Sequence, residues 1–590
     1  MVKMTANHFR YLVGFAAFGF VMGTVSSASA CTTVLVGKNA STDGSTIIAR
    51  NEDVDTSWAK HYVYHPATSG TNTQYRSTDN GFTVDLPTNA QSYTSTPDWQ
   101  QKKGQDQFGE DGINSSNVAM SATESGTTNK QAQKADPFVK KGISEPSMVD
   151  VVLPYATSAK DGVKRLGHIV ETKGSAENNG VIFSDKDSIW YMEIGSGHHW
   201  AAVRVPNNKY AVIPNQNVIG NVDTKKSNFM TSKNLPKFVK SHHLNGYVNS
   251  HQVNFAQAFG TNNKEDATYN RPRIWDGQRI LTPSKKQSIT QKHYAMFMKP
   301  DHKISVQKVQ QVLGSHFNNT KYDSNGKWVG GYRPINVPTD VESHILQIRP
   351  NVPKEMAGVQ WLAMASPATS VYVPFYTNVN NTPTSYQKGT DKPDSESAYW
   401  TYKMTKVLTD PYKNKLVNKD VVPVQKKTTS HLKASLKNND QQARNLTGDE
   451  LTNFLTQCNQ QNADYAQNVF QRLNNKLIVD STRQTKIVQD KKKELPYLGV
   501  QMKKPGCIQE MKSLVSELMQ YDVGEETLGE LVKRSEDQAL LHCKLQDIHR
   551  IYEGFREYLK ERFLTGEEVP DVLCRVIEKS KKFQGGIFVL

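Results

Sequence analysis

Apolar positions come first as short runs and later at helical spacing, and the change of period organises the chain. Thr32–Gly37 and Ser45–Asn51 are short runs rich in Thr, Val and Ile. The segment between them, Lys38–Gly44, contains Asn39 and the turn pair Asp43-Gly44, so the pattern predicts a hairpin. Residues 54–150 are rich in Ser, Thr, Asn, Gly and Gln, which predicts loops and short strands, among them Val118–Thr123. In Ser147–Val170, Met148, Val151, Val152, Tyr155, Ala156 and Val163 recur near helical spacing and predict a helix. An antiparallel meander is predicted next: Gly180–Ser184, Ser188–Ile194, Trp200–Val205 and Tyr210–Pro214, separated by polar or Gly-containing turns. Ile274–Leu281 predicts a short helix, and Ser343–Ile348 and Gly358–Ala365 two further core strands. Thr428–Leu477 predicts a polar helical region with Leu451, Phe454, Leu455, Tyr465, Val469 and Leu473 as its apolar stripe.

The last hundred residues differ from everything before them. No Asn follows Asn475, and apolar residues at i, i+3, i+4 predict helices over Ile508–Tyr521, Glu525–Leu541 and Lys544–Leu564. This tail, residues 491–590, reads either as an appended helical module or as the product of a fusion, frameshift or assembly artefact. At the other end, Lys3 and Arg10 precede an apolar run from Tyr11 to Val25 and the small-residue triplet Ala28-Ser29-Ala30. The run is short for a membrane span and fits a signal peptide cleaved after residue 30. No later stretch is apolar enough to span a bilayer.

The charge is +15 over 590 residues, of which +2 lies in residues 1–30 and none in 491–590, where basic and acidic residues balance. The body thus carries the excess, which suits solubility and attraction to an anionic envelope. No nucleic-acid motif accompanies it. Cysteines stand at 31, 458, 507, 543 and 574, which is neither a disulfide framework nor a metal spacing. The histidines lack a HExxH pattern. His198-His199, predicted to lie on a strand, would point to opposite faces and not share a metal. No metal and no cofactor are expected.

Cleavage after Ala30 would make Cys31 the first residue, with a thiol and a free α-amine on one residue. An ordinary thiol, pKa about 8.5, is mostly protonated at neutral pH. An α-amine with pKa about 8 is basic enough to accept its proton. The predicted hairpin returns Arg50 and Asp53 toward Cys31. Arg50 would lower the thiol pKa or bind a carboxylate, and Asp53 would orient the α-ammonium.

Cys31-Thr32-Thr33, Asp43-Gly44-Ser45 and Ala49-Arg50-Asn51-Glu52-Asp53 resemble the bacterial cysteine dipeptidases of family C69, N-terminal-nucleophile hydrolases of the dipeptidase A type. Gly112-Ile113-Asn114 with Val118–Glu124, Trp190-Tyr191-Met192-Glu193 and Arg271-Pro272-Arg273-Ile274-Trp275 extend the resemblance, which covers about Cys31–Asp490. It implies an α+β fold, a four-layer αββα sandwich occupying residues 31–425, a helical C-terminal part at 426–490 and the helical extension beyond. It implies a secreted or envelope-associated bacterial enzyme acting on dipeptides, with homo-oligomerisation left open. By family position Asn215 would stabilise the oxyanion and Arg273, in competition with Arg271 and Arg279, would be the active-site arginine. Related bile salt hydrolases carry an Asn in the Val118–Glu124 region, where this chain has Ala122 and Thr123. That leaves the second oxyanion donor open and points away from conjugated bile acids. Two rival expectations stand: a related acylase of penicillin V or N-acyl amino acids, and a non-catalytic envelope lipoprotein lipidated on Cys31 at the Ala28–Cys31 box.

Overall fold

The computed structural model describes residues 31–484 except 55–58, 71–72, 100–107, 125, 324–327 and 413. The expected signal peptide and the tail helices lie outside the described residues.

The predicted hairpin forms from Thr32–Val36 (β1) and Thr46–Asp53 (β2), with Thr33 opposite Arg50. Every β2 residue is buried, because both faces of the strand are covered. Its period of two sends Ile47 and Ala49 to one side and Ile48 and Arg50 to the other. The remaining strands of the two large sheets are Val63–His65 (β3), Tyr93–Pro97 (β4), Gly109–Asn114 (β5), Ala119–Glu124 (β6), Asn179–Ser184 (β7), Ile189–Ile194 (β8), Trp200–Arg204 (β9), Tyr210–Ile213 (β10), Phe229–Thr231 (β11), Asp340–Ile348 (β12), Gly358–Met364 (β13) and Val373–Tyr376 (β14). One sheet runs β10-β1-β2-β12-β13-β14, the other β11-β9-β8-β7-β6-β5-β4-β3.

Leu35, Ile48 and Leu346 of the first sheet pack on Ile113, Ile182 and Tyr191 of the second, so the sheets lie face to face. The outer face of the second sheet is covered by Glu145–Val152 (α1) and Ala159–Lys173 (α2). The outer face of the first is covered by Arg271–Leu281 (α3), Val306–Leu313 (α4), Val422–Gln442 (α6) and the start of Gly448–Gln484 (α7). Farther along α7, Phe470 and Leu473 pack with Tyr399 and Tyr402 of Ala398–Thr409 (α5) against Val373 and Phe375 of β14. The result is the four-layer αββα sandwich, α+β in class.

Three expectations change. Ser147–Val170 is two helices: Pro154 lacks an N–H to continue the ladder, and Ser158 caps the second helix by accepting from the Asp161 N–H. Thr428–Leu477 is helical as expected, and the change there is only that it is divided between α6 and α7, with Gly448 at φ +54° opening α7. The fourth strand of the expected meander, β10, leaves its sheet and pairs with β1, Thr33 opposite Ile213. Alternation alone gave no sign of that choice of partner.

Gly277 seats α3 on β10: a Cβ there would come 2.6 Å from Val212 Cγ2. Overpacking of this kind costs about 1–3 kcal/mol, more than the roughly 1 kcal/mol that alanine gains in helix propensity. Gly277→Ala is therefore expected to lower stability in urea unfolding; a midpoint at or above the parent's would contradict the tight docking.

Candidate active site

Cys31 directly precedes β1 and is 3% exposed. Two strand registers place its neighbours. Thr32 faces Asn51, so the next pair is Cys31 with Glu52. Thr33 faces Ile213, the last residue of β10, and Asn215 follows two residues later in the bend beyond that strand. The hairpin and the departed strand β10 thus bring Arg50, Asp53 and Asn215 to the cysteine's end of the sheet.

Arg50 is fully buried between the sheets. Its Nε donates to Thr33 Oγ1 at 3.0 Å, Nη1 to Ser121 Oγ at 2.8 Å and Nη2 to the Gly180 carbonyl at 2.9 Å. All three of its nitrogens are engaged by the protein, and its charge acts on the Cys31 thiol. Burial raises the Cys31 pKa well above the ordinary value, and Glu110 and Glu145 push it the same way. Arg50 and a hydrogen bond with Thr123 pull it down without offsetting burial. In the full chain the Cys31 nitrogen is a peptide amide, with no proton affinity to help the thiol ionise.

Arg273 is the arginine that reaches the cysteine. Its Nη1 donates to the Cys31 carbonyl at 2.8 Å and to Thr32 Oγ1 at 3.0 Å, from the helical side of the sheet. Burial and the neighbouring Arg333 lower its pKa to about 9. The competitors turn elsewhere: Arg271 to Asn262 Oδ1, Arg279 to Asp276. Asp53 accepts from Arg333 Nη2 and from Thr339 Oγ1, and both arginines lie about 5 Å from the Tyr269 ring centroid. Arg333, in a loop with no surrounding motif, carries no signal in the sequence.

Asn215 sits in a loop held by Glu193, whose carboxylate accepts from the N–H of Val218 at 2.6 Å. Burial raises Glu193 to about 7, while the donors aimed at it pull the other way. His198 and His199 lie in a turn rather than on a strand and face Asp136 and Ser232 separately. Among the described residues no group of three or more His, Cys, Asp and Glu could hold a metal, and no helix is long and apolar enough to cross a membrane.

Behind Arg50 the inter-sheet layer turns polar. His344 bonds Glu342 at 2.8 Å and Ser121 at 3.0 Å, Lys60 pairs with Glu52 at 2.7 Å, and Gln360 donates to Asp111 at 2.7 Å. Glu110 is fully buried, and its nearest ion-pair partner is Arg50 at 3.8 Å. Charged residues inside strands were the available sequence signal for Glu110 and Glu193, and Glu145 opens a helix; only tertiary packing shows what each carboxyl faces.

A model of peptidase family C69 matches residues 30–427, and a model of "ADDB, N-terminal" matches residues 464–590. A probable dipeptidase of Latilactobacillus sakei is 38% identical over 465 residues, covering 78% of this chain and 97% of that protein. Dipeptidase A of Lactobacillus helveticus is 36% identical over 461 residues, 74% of this chain and 94% of that one. Among solved structures, penicillin V acylase from Agrobacterium tumefaciens aligns at 14% identity and TM-score 0.25, over 59% of this chain and 86% of that one.

Two outcomes follow from the buried charges. Burial raises Glu52 and Glu342 to about 8, so in the folded chain they keep protons that an unfolded glutamate loses near pH 4.5. His344, lowered to about 4 by burial, acts in the opposite sense but only below the ordinary histidine range. Above about pH 6.5 the folded state therefore binds more protons than the unfolded one, and stability falls as pH rises toward about 8.5. Urea midpoints should drop across this window, and Glu342→Gln should flatten the slope. Arg333→Met leaves the Asp53 carboxylate without its ion pair and should cost about 3–5 kcal/mol in the same assay; a loss below about 1 kcal/mol would show the pair to be dispensable.

Proposed function

The chain belongs to peptidase family C69, and we propose that it is an exported cysteine-type dipeptidase whose nucleophile is Cys31, freed by cleavage after residue 30. The observation that carries this reading is the convergence at Cys31. Asn215 follows directly after the strand that pairs with β1, the Arg50 charge acts on the thiol, and Arg273 donates to the Cys31 carbonyl.

In the cleaved protein the Cys31 α-amine takes the thiol proton, and Sγ attacks the scissile carbonyl of the dipeptide. The side-chain amide of Asn215 and a backbone N–H stabilise the tetrahedral oxyanion, a contribution of roughly 3–4 kcal/mol in other hydrolases. The ammonium returns its proton to the leaving amine, which departs as the second amino acid. Water then adds to the thioester, a second tetrahedral intermediate collapses, and the first amino acid leaves as the thiol is regenerated. Arg50 favours the thiolate throughout, Asp53 with Arg333 orients the terminal residue, and Arg273 keeps the Cys31 backbone in register.

The surroundings favour a dipeptide over an apolar acyl group. Glu110 and Glu145 act on the thiol strongly enough to raise its pKa, and acidic side chains there suit a substrate that carries its own ammonium. Thr123, hydrogen-bonded to the thiol, occupies the region where bile salt hydrolases place an Asn. The match of residues 464–590 to a second family model begins within α7 and runs on through the tail, which supports reading the tail as an appended segment.

The test joins N-terminal sequencing and intact mass of secreted material with release of amino acids from a dipeptide panel in chelator. A free Cys31 terminus with hydrolysis is expected. A mass raised by several acyl chains would establish the lipoprotein instead, and activity only on penicillin V or N-acyl amino acids would establish the acylase. Cys31→Ala should abolish hydrolysis in a folded protein. Cys31→Ser should lose most of it, because a hydroxyl is far harder to deprotonate.

A further inference from the structure

The Trp190-Tyr191-Met192-Glu193 stretch ends in a charged residue at the rim of an otherwise apolar strand. Glu193 is fully buried, pairs with Gly180 of β7, and faces the space between the sheets as Tyr191 does. No lysine, arginine or histidine forms an ion pair with it among the described residues. Its carboxylate is instead surrounded by donors from one loop. Oε1 accepts the Val218 N–H at 2.6 Å, both oxygens lie 3.3 Å from the Ile219 nitrogen, and Oε2 accepts from Asn217 Nδ2 at 3.3 Å. The Tyr191 side chain adds a further hydrogen bond.

A second line of bonds holds the same loop from the other side. Asn217 Oδ1 accepts from Asn178 Nδ2 at 3.0 Å, Asn178 also donates to Thr128 Oγ1 at 2.9 Å, and Thr128 donates to the Gly195 carbonyl at 2.8 Å. Gly195 is two residues beyond Glu193, so the network closes on the end of β8. Gly126 passes so close to Asn215 that a Cβ would sit 3.1 Å from the Asn215 carbonyl oxygen.

A buried carboxylate without a cation is costly unless donors replace its hydration. Here the replacement comes from consecutive backbone N–H groups, whose directions fix the path of the chain rather than one rotamer. Asn215 stands three residues before the first of these clamped amides and two residues beyond Ile213, which pairs with Thr33 at the cysteine's end of β1. An oxyanion donor acts only if it is held in place before the charge develops. We propose that Glu193 is the positioning residue of the oxyanion loop, clamping residues 217–219 so that the Asn215 side chain is fixed opposite the Cys31 thiol. The proposal rests on the reading of Asn215 as the oxyanion donor.

A double-mutant cycle tests it on the processed enzyme, with a dipeptide at pH 8. Glu193→Gln keeps the shape but turns an NH₂ toward backbone donors. It should lower kcat by about 10- to 100-fold, the scale on which a 1 Å misplacement acts, with KM within about threefold. The rate of Cys31 alkylation by iodoacetamide should not change, since the nucleophile is untouched. Asn215→Ala should lose about 10²- to 10³-fold in kcat. Added to Asn215→Ala, Glu193→Gln should cost less than about threefold more, because the residue to be positioned is gone. Glu193→Asp, which keeps the charge, should recover part of the loss, and it carries the cycle if the Gln variant does not fold. A kcat within twofold of the parent, or an equal loss in both backgrounds, overturns the proposal and leaves Glu193 a structural residue. An Asn215→Ala enzyme of full activity overturns the oxyanion assignment itself, a different failure that the single variant reads directly.

Discussion

The Arg50 guanidinium joins the two sheets through the polar region of the layer between them. Its nitrogens reach Thr33 on its own sheet and Ser121 and Gly180 on the facing one. A buried charge so held is over-determined: removing any partner leaves a donor unsatisfied in a medium that cannot replace it. The apolar half of the inter-sheet layer supplies adhesion without direction. The polar half around Arg50, with His344, Glu342, Asp111 and Lys60, supplies direction, and it places the thiol at a set height between the sheets.

Cys31 is consequently held from two sides of one sheet. Its side chain belongs to the inter-sheet layer, with Arg50, Thr123 and the two glutamates. Its carbonyl belongs to the helical layer, where Arg273 comes in from α3. Strand alternation sends the Thr32 side chain to that second side, where Arg273 bonds it together with the Cys31 carbonyl, and α3 can lie there because Gly277 lets it sit close on β10. The Asp53–Arg333 pair closes the same side, where the terminal amine of a cleaved chain would need an acceptor.

Much of this was legible in the sequence. The hairpin was, because turn residues and β-branched runs are local signals. Arg50 and Asp53 followed from it, since a hairpin fixes which residues return. The choice of Arg273 over Arg271 and Arg279 was legible only through family resemblance, and the bonds from the three arginines now separate them. Arg333, Thr339 and the convergence of Glu110, Glu145 and Glu193 were not legible. Each is brought in from a distant part of the chain by sheet packing, and no local pattern encodes such an encounter. The exit of β10 from the meander belongs with them, because alternation reports that a strand has two faces and not which edge it joins.

By itself the sequence determined most of the elements and the residues that the hairpin returns toward Cys31, all of which depend on neighbours within a few tens of residues. The tertiary structure alone decided which sheet each strand entered, which arginine met the Cys31 carbonyl, and which buried carboxylates surrounded the thiol and the Asn215 loop. Those outcomes depend on burying two sheet faces together, and the desolvation that selects them is a property of the closed layer rather than of any segment.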